Sequence, residues 1–234
     1  MKILAIGTSG QNCTVAISED NLLIKEININ DGLTHSQKLM PSIDKILSET
    51  STKLESIDTY AVSIGPGSFT GIRIGISTVK GLCLGVNRNV VAVPSLLGIA
   101  YSQKNFDGYI VSCMDAKNDN IYAAIYKKDS DGDLIRIGDY FADSAMTLVE
   151  EVLSLDDNCI IVGDGKKLLK SHLDNYNLPF NVDYASDEFD LEYASNIALA
   201  GLDLIRQGLV TTGLNLSPLY LKKSQAEREL DKKL

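Results

Sequence analysis

A glycine-rich turn carries the strongest chemical signal in the chain. Gly65-Pro66-Gly67-Ser68 separates an apolar run that predicts a strand from residues spaced as on one face of a helix. Glycine permits positive φ and Pro66 has no amide hydrogen, so regular structure is interrupted there. Ser68 or Thr70 then supplies the N-cap of the helix. A helix that starts after such a turn can bind an anion, but a purely structural turn is the favoured interpretation.

Two familiar nucleotide motifs do not fit this turn. A dinucleotide-binding GxGxxG sequence would need a third glycine where Thr70 stands. A P-loop ends in Gly-Lys followed by Ser or Thr, and this triplet occurs nowhere in the sequence. An anion site at the turn would therefore belong to neither type.

Several other polar residues could take part in chemistry, but each has a simpler structural interpretation. His35 could be a general base or a lone ligand, whereas a hydrogen-bonded or interface residue at a helix start is favoured. Gly163-Asp164-Gly165-Lys166 could cradle a phosphate and Asp115 could be catalytic, whereas a structural turn and a turn cap are favoured. His172 suits a helix C-terminus or plain surface. We therefore predict no catalytic, cofactor-binding or metal-binding residue.

Composition places the chain among ordinary globular proteins of one large domain or two small lobes. Its 234 residues are 44% apolar and 23% charged, with a net charge of −9. An acidic chain without a long basic run is a poor direct binder of RNA or DNA, because phosphate contacts require clustered Lys and Arg. The absence of a membrane-length apolar run and of a signal-peptide pattern predicts a cytoplasmic protein.

Cysteine and histidine usage predicts neither a zinc cluster nor a disulfide framework. The chain has two histidines and no CxxC pair. Its four cysteines, Cys13, Cys83, Cys113 and Cys159, lie apart among apolar neighbours. We therefore expect four buried, reduced thiols.

The predicted secondary structure repeats once along the chain. Three strands, a helix, a strand and a helix occupy residues 2–84 and again 109–173, and a helix over 191–207 closes the second half. This order predicts an α/β protein of the actin-like ATPase fold, with two similar lobes that are each a mixed sheet with flanking helices. The N-terminal lobe is predicted over 1–104, completed by a C-terminal helix over 214–234, and the C-terminal lobe over 105–213.

The helix after the glycine-rich turn contains interior glycines, although each costs about 1 kcal/mol relative to alanine. Gly71 and Gly75 share one face with Thr78 and Leu82. Small residues on one face let a second backbone approach closely. That backbone could belong to this chain or to another.

Several segments together resemble the TsaB family, also called YeaZ. The resemblance runs nearly from end to end, and the Gly-Pro-Gly-Ser-Phe-Thr-Gly block is its most specific part. The segments that carry it are KILAIGTS at 2–9, Thr34-His35-Ser36 with Leu39 and Pro41, SIGPGSFTGIRIGISTVKGL at 63–82, Met114-Asp115-Ala116-Lys117 with Ile121-Tyr122, and Ser217-Pro218-Leu219-Tyr220-Leu221.

The resemblance implies a bacterial protein of the actin-like (ASKHA) fold that is a non-catalytic paralogue of TsaD. TsaD transfers a threonylcarbamoyl group to the adenosine that follows the anticodon in certain tRNAs. By resemblance we expect a subunit that binds and activates TsaD, joins TsaE in a ternary complex and forms a homodimer when TsaD is absent. It would need no cofactor of its own and contact neither tRNA nor a membrane.

Two departures from the enzymes favour this non-catalytic interpretation. The positions that match the metal-binding His-x-x-x-His pair of TsaD hold Ser95 and Ile99, and an isoleucine cannot bind metal. Actin-like ATPases keep an acidic residue in the first turn, where this chain has Gly7. A glycoprotease-like hydrolase and an ATP-binding kinase of the same fold are the alternatives, and the lack of a GxSxG elbow argues against the hydrolase.

The resemblance also implies that the partner binds two helices of the first lobe, predicted over 34–47 and 69–84. A two-fold contact on the same surface would suit self-pairing. The predicted interface residues are His35, Leu39, Met40, Ile43, Gly71, Arg73, Gly75, Thr78 and Leu82.

Overall fold

The computed structural model describes residues 1–222 except 33 and 85–87. Within these residues the chain forms two β-sheets and six α-helices. The strands are β1 (Lys2–Gly7), β2 (Cys13–Glu19), β3 (Leu22–Ile29), β4 (Thr59–Ser63), β5 (Asn89–Val93), β6 (Tyr109–Asp115), β7 (Asn120–Lys128), β8 (Leu134–Ser144), β9 (Cys159–Val162), β10 (Val182–Tyr184) and β11 (Thr211–Thr212). The helices are α1 (His35–Glu49), α2 (Phe69–Leu82), α3 (Ser95–Ala100), α4 (Ala145–Leu153), α5 (Lys166–Leu173) and α6 (Ala194–Arg206).

The first sheet has six strands in the order β11-β5-β4-β1-β2-β3. The β1–β2–β3 meander is antiparallel, whereas β4 and β5 run parallel to β1. The central strands are buried along their length, which matches their nearly continuous apolar sequences. The parallel edge therefore places the ends of β1 and β4, and the turns that follow them, side by side.

The second sheet repeats this arrangement with five strands in the order β10-β9-β6-β7-β8. Its β6–β7–β8 meander is antiparallel, and β9 and β10 are parallel to β6 and β9 respectively. Each of its strands occupies the place of its counterpart in the first sheet. The repeat predicted from the order of elements is thus visible in the sheet topology.

Helices form three layers around the two sheets. Helices α1 and α2 pack on one face of the first sheet in one apolar cluster, and α4 and α5 pack on one face of the second sheet in another. Helices α3 and α6 contribute to a third cluster that contains residues of both sheets, so they lie between the sheets. The junction between the two halves is therefore a packed apolar core.

Two boundaries predicted for the lobes need correction. Strand β11 pairs with β5, so Thr211 and Thr212 belong to the first sheet and not to the second lobe. Residues 214–222 form no helix, because Leu219 instead donates its amide to Ile64 O (2.8 Å) and Leu216 is buried in the first lobe's core. The described part of the tail therefore packs on the first lobe as a turn followed by irregular chain. The rest of the predicted C-terminal helix lies outside the described residues.

The cysteines are free, as expected, but they are not all buried. Cys13, Cys113 and Cys159 are buried, whereas Cys83 is half-buried at the end of α2. Burial raises the pKa of Cys13 to about 11 and of Cys159 to about 12, so these thiols stay protonated and unreactive at neutral pH.

Candidate functional site

The glycine-rich turn is held by backbone from two distant segments. A Cβ at Gly67 would overlap the carbonyl oxygen of Ser9, and one at Gly65 would lie 2.5 Å from Leu219 O. Ser68 caps α2 as predicted, because its hydroxyl accepts a hydrogen bond from Gly71 N at 3.2 Å. These contacts support the structural interpretation of the turn. Its glycines allow the backbone at Ser9 and at Leu219 to approach closely.

The glycine face of α2 is occupied by this chain itself. A Cβ at Gly71 would overlap the carbonyl oxygen of Thr8, and one at Gly75 would lie 2.6 Å from Thr8 Oγ1. Thr8 also donates its hydroxyl to Gly71 O at 2.8 Å. Of the two possibilities predicted for this face, the second backbone therefore belongs to the same chain, and both glycines are buried against it.

Glu192 fills the space beside Gly7. A Cβ at Gly7 would lie 2.8 Å from Glu192 Oε2, 2.7 Å from Thr14 Cγ2 and 2.8 Å from Ile197 Cδ1. The position at which the related ATPases keep a carboxylate thus faces a carboxylate from the other half of the chain. Sequence reasoning missed Glu192, because its hydrogen-bond partners Ser9 and Asn12 lie 183 and 180 positions away and no local pattern marks it.

Three serine hydroxyls link Glu192 to the glycine-rich turn. Ser9 donates to Glu192 Oε2 at 3.0 Å, and Ser63 donates to Ser9 at 3.1 Å. The hydroxyls of Ser63 and Ser95 are 2.8 Å apart, and Ser95 accepts from Gly65 N at 3.1 Å. The chain of hydrogen bonds crosses the junction between the halves and ends on the turn.

The two positions matched to a metal-binding pair have structural roles here. Ser95 is fully buried within this hydroxyl chain, and Ile99 is 2% exposed in the core between the sheets. Both belong to α3, one turn of helix apart. Within the described residues, no group of three or more His, Cys, Asp or Glu side chains is placed to hold a metal ion.

Burial changes the ionisation of Glu192. The side chain is 2% exposed, and burial raises its pKa to about 7, although the nearby hydroxyl groups of Ser63 and Ser9 act in the opposite direction. Its Oε1 has no hydrogen-bond partner among the described residues. At neutral pH a substantial fraction of this carboxyl group is therefore protonated, which suits a place inside a packed junction.

An open cleft of about 560 Å³ lies next to this junction. Its walls include the turn after β1, the start of α2 and the turn after β6. Asp115 at the end of β6 and Asp164 after β9 also line it and lie close together. Asp115 donates its amide to Asp164 Oδ1 at 2.9 Å, and burial raises the pKa of Asp164. Lys117 also lines the cleft, and its Nζ donates to Asp115 Oδ2 at 2.9 Å, so the charge of Asp115 is paired within the wall.

The remaining polar candidates have the structural roles that the sequence favoured. Asp115 Oδ1 accepts from Lys117 N at 2.8 Å and so caps the following turn. His35 is half-buried, with Nε2 3.2 Å from Gly10 O. Lys166 is buried, donates to Ala185 O at 2.6 Å and pairs with Asp187 and Asp190. His172 lies near the end of α5, 3.4 Å from Asp119.

Four of the nine predicted interface residues are not available to a partner. Leu39 and Ile43 are 1% and 2% exposed in the core beneath α1, and Gly71 and Gly75 are buried against Thr8. The prediction was wrong at these positions because helical spacing identifies a face without saying which side of it is inward. The other five are at least partly exposed, namely His35, Met40, Arg73, Thr78 and Leu82.

An aromatic cluster covers the N-terminal end of α2. The rings of Phe69 and Tyr220 stack with their centroids 4.5 Å apart. Arg73 donates from Nε to the Tyr220 hydroxyl at 2.8 Å and lies 5.6 Å from the centre of that ring. The C-terminal segment thereby orients an exposed cation on the outer face of α2. The segment around Tyr220 was noticed in the sequence, but its contact with α2 was not predicted.

Comparison with known proteins then identifies the family. The model of the tRNA N6-adenosine threonylcarbamoyltransferase (TsaD) family matches residues 32–230, more than four fifths of the chain. The chain belongs to the TsaD family. A relative within this family, the tRNA threonylcarbamoyladenosine biosynthesis protein TsaB of Escherichia coli, is 34% identical over 134 residues, which are 56% of this chain and 58% of that protein.

Two further relatives are about as similar to this chain in sequence identity. The TsaB protein of Bacillus subtilis is 32% identical over 54% of this chain and 56% of its own length. A tRNA N6-adenosine threonylcarbamoyltransferase of Kosmotoga olearia is 32% identical over 44% of this chain and 36% of its own length. The chain spans little more than half the length of these two TsaB proteins. The resemblance to TsaB is thus confirmed.

Solved structures confirm the predicted fold of this TsaD-family chain. YeaZ from Pseudomonas aeruginosa superposes with a TM-score of 0.79 at 23% identity and covers 94% of this chain and 99% of its own. The ROK hexokinase from Thermus thermophilus superposes with a TM-score of 0.53 at 9% identity, covering 88% of this chain and 100% of its own. The shared architecture is the actin-like one. Among the described residues, every helix is too short or too polar to cross a bilayer.

Proposed function

We propose that this chain is a non-catalytic subunit of the bacterial machinery that makes tRNA threonylcarbamoyladenosine. In this proposal it binds and activates TsaD, and TsaD performs the threonylcarbamoyl transfer. The family match and the names of the TsaB relatives support the process. The observation that carries the non-catalytic part is the packing of Glu192 against Gly7. Gly7 stands where the related ATPases keep a catalytic carboxylate, and here that position serves the packing of the two halves.

The chemistry of the junction supports the absence of catalysis by this chain. A nucleophile or metal ligand must reach a substrate, whereas Ser95 and Ile99 are enclosed and their contacts are satisfied or apolar. Ser9 is also buried, and its hydroxyl is used by Glu192. The actin-like frame is thus retained while the groups at its centre hold the two halves together.

The exposed outer surface of α1 and α2 is the proposed contact with TsaD. Met40 is 50% exposed on α1, and the oriented Arg73 is exposed on α2. The exposed methionine offers an apolar contact and the arginine a directional donor, and both residue types are enriched in protein interfaces. The same surface would form the homodimer when TsaD is absent. TsaE would join the TsaD-bound form.

Two further features of the proposal concern tRNA binding and cellular location. With a net charge of −9 this chain would be a poor direct binder of tRNA, so the tRNA would be held by its partners. The proposal places the protein in the cytoplasm, where tRNA is modified, with no cofactor of its own.

Depletion of the protein tests the proposal. We expect the content of threonylcarbamoyladenosine in total tRNA, measured by mass spectrometry of nucleosides, to fall when the protein is depleted and to recover with the wild-type chain. Purified protein alone should transfer no threonylcarbamoyl group to tRNA. Unchanged nucleoside levels after depletion would refute the role, and transfer by the isolated chain would refute its non-catalytic part.

A further inference from the structure

The C-terminal segment follows a fixed path to the outer face of α2. Leu219 donates its amide to Ile64 O at 2.8 Å. The carbonyl oxygen of Leu219 lies against Gly65, where a Cβ would be only 2.5 Å away, so the missing side chain leaves the room that the segment needs. These two backbone contacts set the position of the next residue, Tyr220, beside the first turn of α2.

A second anchor lies on the other side of Tyr220. Lys222 donates from Nζ to Asn120 Oδ1 at 2.7 Å, and Asn120 is the first residue of β7 in the second half of the chain. The segment thus crosses from one half to the other, with Tyr220 between its two attachments. A side chain that is held in this way presents a preorganised surface to a partner.

Tyr220 in turn fixes the guanidinium group of Arg73. The Tyr220 ring stacks at 15° on Phe69, which lies one helical turn before Arg73. Its hydroxyl accepts a hydrogen bond from Arg73 Nε at 2.8 Å, and the guanidinium carbon lies 5.6 and 6.0 Å from the centres of the Tyr220 and Phe69 rings. Because Arg73 uses Nε for this contact, the N–H groups of its terminal nitrogens remain for other acceptors.

The exposure of this cluster distinguishes it from a contact of the core. Tyr220 is 38% exposed and Arg73 is also exposed. Among the residues that the structure describes, no carboxylate forms an ion pair with Arg73. Ordering a long side chain on an open surface costs conformational entropy and returns little stability. Tyrosine and arginine are, however, enriched among the residues that dominate the binding energy of protein interfaces.

We propose that Tyr220 is a positioning residue for the contact between α2 and TsaD. It holds Arg73 in the orientation that donates to acceptor groups of TsaD, so less side-chain freedom is lost when the two proteins associate. The C-terminal segment is thereby part of the binding surface, although it lies outside α1 and α2. TsaD is the partner in the proposed function, on which this assignment rests.

Calorimetric titration with purified TsaD of the same organism tests this role. Tyr220→Phe keeps the ring stack and removes only the hydroxyl that accepts from Arg73. We expect it to weaken binding by about three- to tenfold, the loss that corresponds to one long side chain that must be newly immobilised. In the Arg73→Met background the same substitution should change the affinity by less than about twofold, because no guanidinium is left to position.

Tyr109→Phe is the matched control. Tyr109 also has a cation over its ring, with Lys127 Nζ at 4.2 Å, and its hydroxyl donates to Asp156 at 2.8 Å, but it lies in β6 of the second half. This variant should bind TsaD as the wild type does. The midpoint of thermal unfolding of Tyr220→Phe should stay close to that of the wild type, as for most surface substitutions, so that a change in affinity is not a change in folding.

Failure of this assignment can be distinguished from failure of the proposed function. A wild-type chain that does not bind TsaD would refute the proposed function and this role together. Binding by the wild type that Tyr220→Phe leaves unchanged would overturn the positioning role alone. An equal loss from Tyr220→Phe with and without Arg73, or an equal loss with Tyr109→Phe, would also overturn it, because the hydroxyl would then not act through Arg73.

Discussion

Both faces of α2 contain glycine, but the surroundings of the glycines differ. On the inner face, Gly71 and Gly75 lie against Thr8 with no room for a side chain. On the outer face, Arg73 and Ser77 are exposed, and a Cβ at Gly81 would meet nothing within 4 Å. Glycine in a helix thus marks a close approach only where another backbone is present, and here that backbone is the chain's own. Of the two faces of this helix, only the outer one is exposed.

The largest effect is expected from filling the inner face. Gly71→Ala would place a methyl group on the carbonyl oxygen of Thr8, a backbone atom that cannot move without shifting β1. We expect the free energy of unfolding to fall by about 3 kcal/mol or more, at the upper end of the cost of overpacking. Urea denaturation measures the change. A loss below about 1 kcal/mol would show that this face is less tightly packed than described.

Protonation of Glu192 should give the next largest effect. Its pKa in the folded protein is raised from 4.5 to about 7, so the folded state binds the proton more tightly than the unfolded state. The contribution of this group to stability is therefore complete below about pH 4.5 and is lost as the pH rises through about 7. The full change is about 3 kcal/mol, from 1.36 kcal/mol per pKa unit.

Glu192→Gln isolates this contribution, because the amide does not titrate. Between pH 5 and 8 the free energy of unfolding of the wild type should fall relative to that of Glu192→Gln. Glu188→Gln, at an exposed position in the same segment, serves as the control and should follow the wild type. Parallel pH profiles for the wild type and Glu192→Gln would show that the carboxyl group is not held in the protonated form.

The smallest effect is expected on the outer face of α2. Gly81→Ala adds a methyl group in open space near the end of the helix, so helix propensity alone should act. We expect a gain of about 0.5 kcal/mol in the free energy of unfolding, measured alongside Gly71→Ala under the same conditions. A loss at Gly81 comparable to that at Gly71 would remove the distinction between the two faces.

Much of the fold could be predicted from the sequence because its signals are local. Alternating or continuous apolar runs and short polar turns define the repeated order of strands and helices, and Ser68 acts as the predicted cap. The two-residue strand Thr211–Thr212 was missed because it exists only through its pairing with β5. The irregular segment after Gly213 was mistaken for a helix, since its contacts with Ile64 and Phe69 come from far along the chain.

The candidate site was less predictable for the same reason. The replacement of a carboxylate by Gly7 was visible in the sequence, but the group that fills the space was not, because Glu192 is separated from it by most of the chain. Helical spacing placed Leu39 and Ile43 together correctly and assigned them to the wrong side. Burial, which depends on the whole fold, decides between a core residue and a contact.

Nucleoside mass spectrometry of tRNA from depleted cells that carry single variants tests the central proposal most directly. Met40→Asp alters a side chain on α1 that is 50% exposed. Met146→Asp alters a methionine on α4 that is 42% exposed and serves as the matched control. At equal protein levels, we expect Met40→Asp to lose most threonylcarbamoyladenosine, while Met146→Asp and the junction variant Glu192→Gln retain it. Full modification with Met40→Asp together with loss in Glu192→Gln would contradict the account, because the working part would then be the junction between the halves and not the outer helical surface.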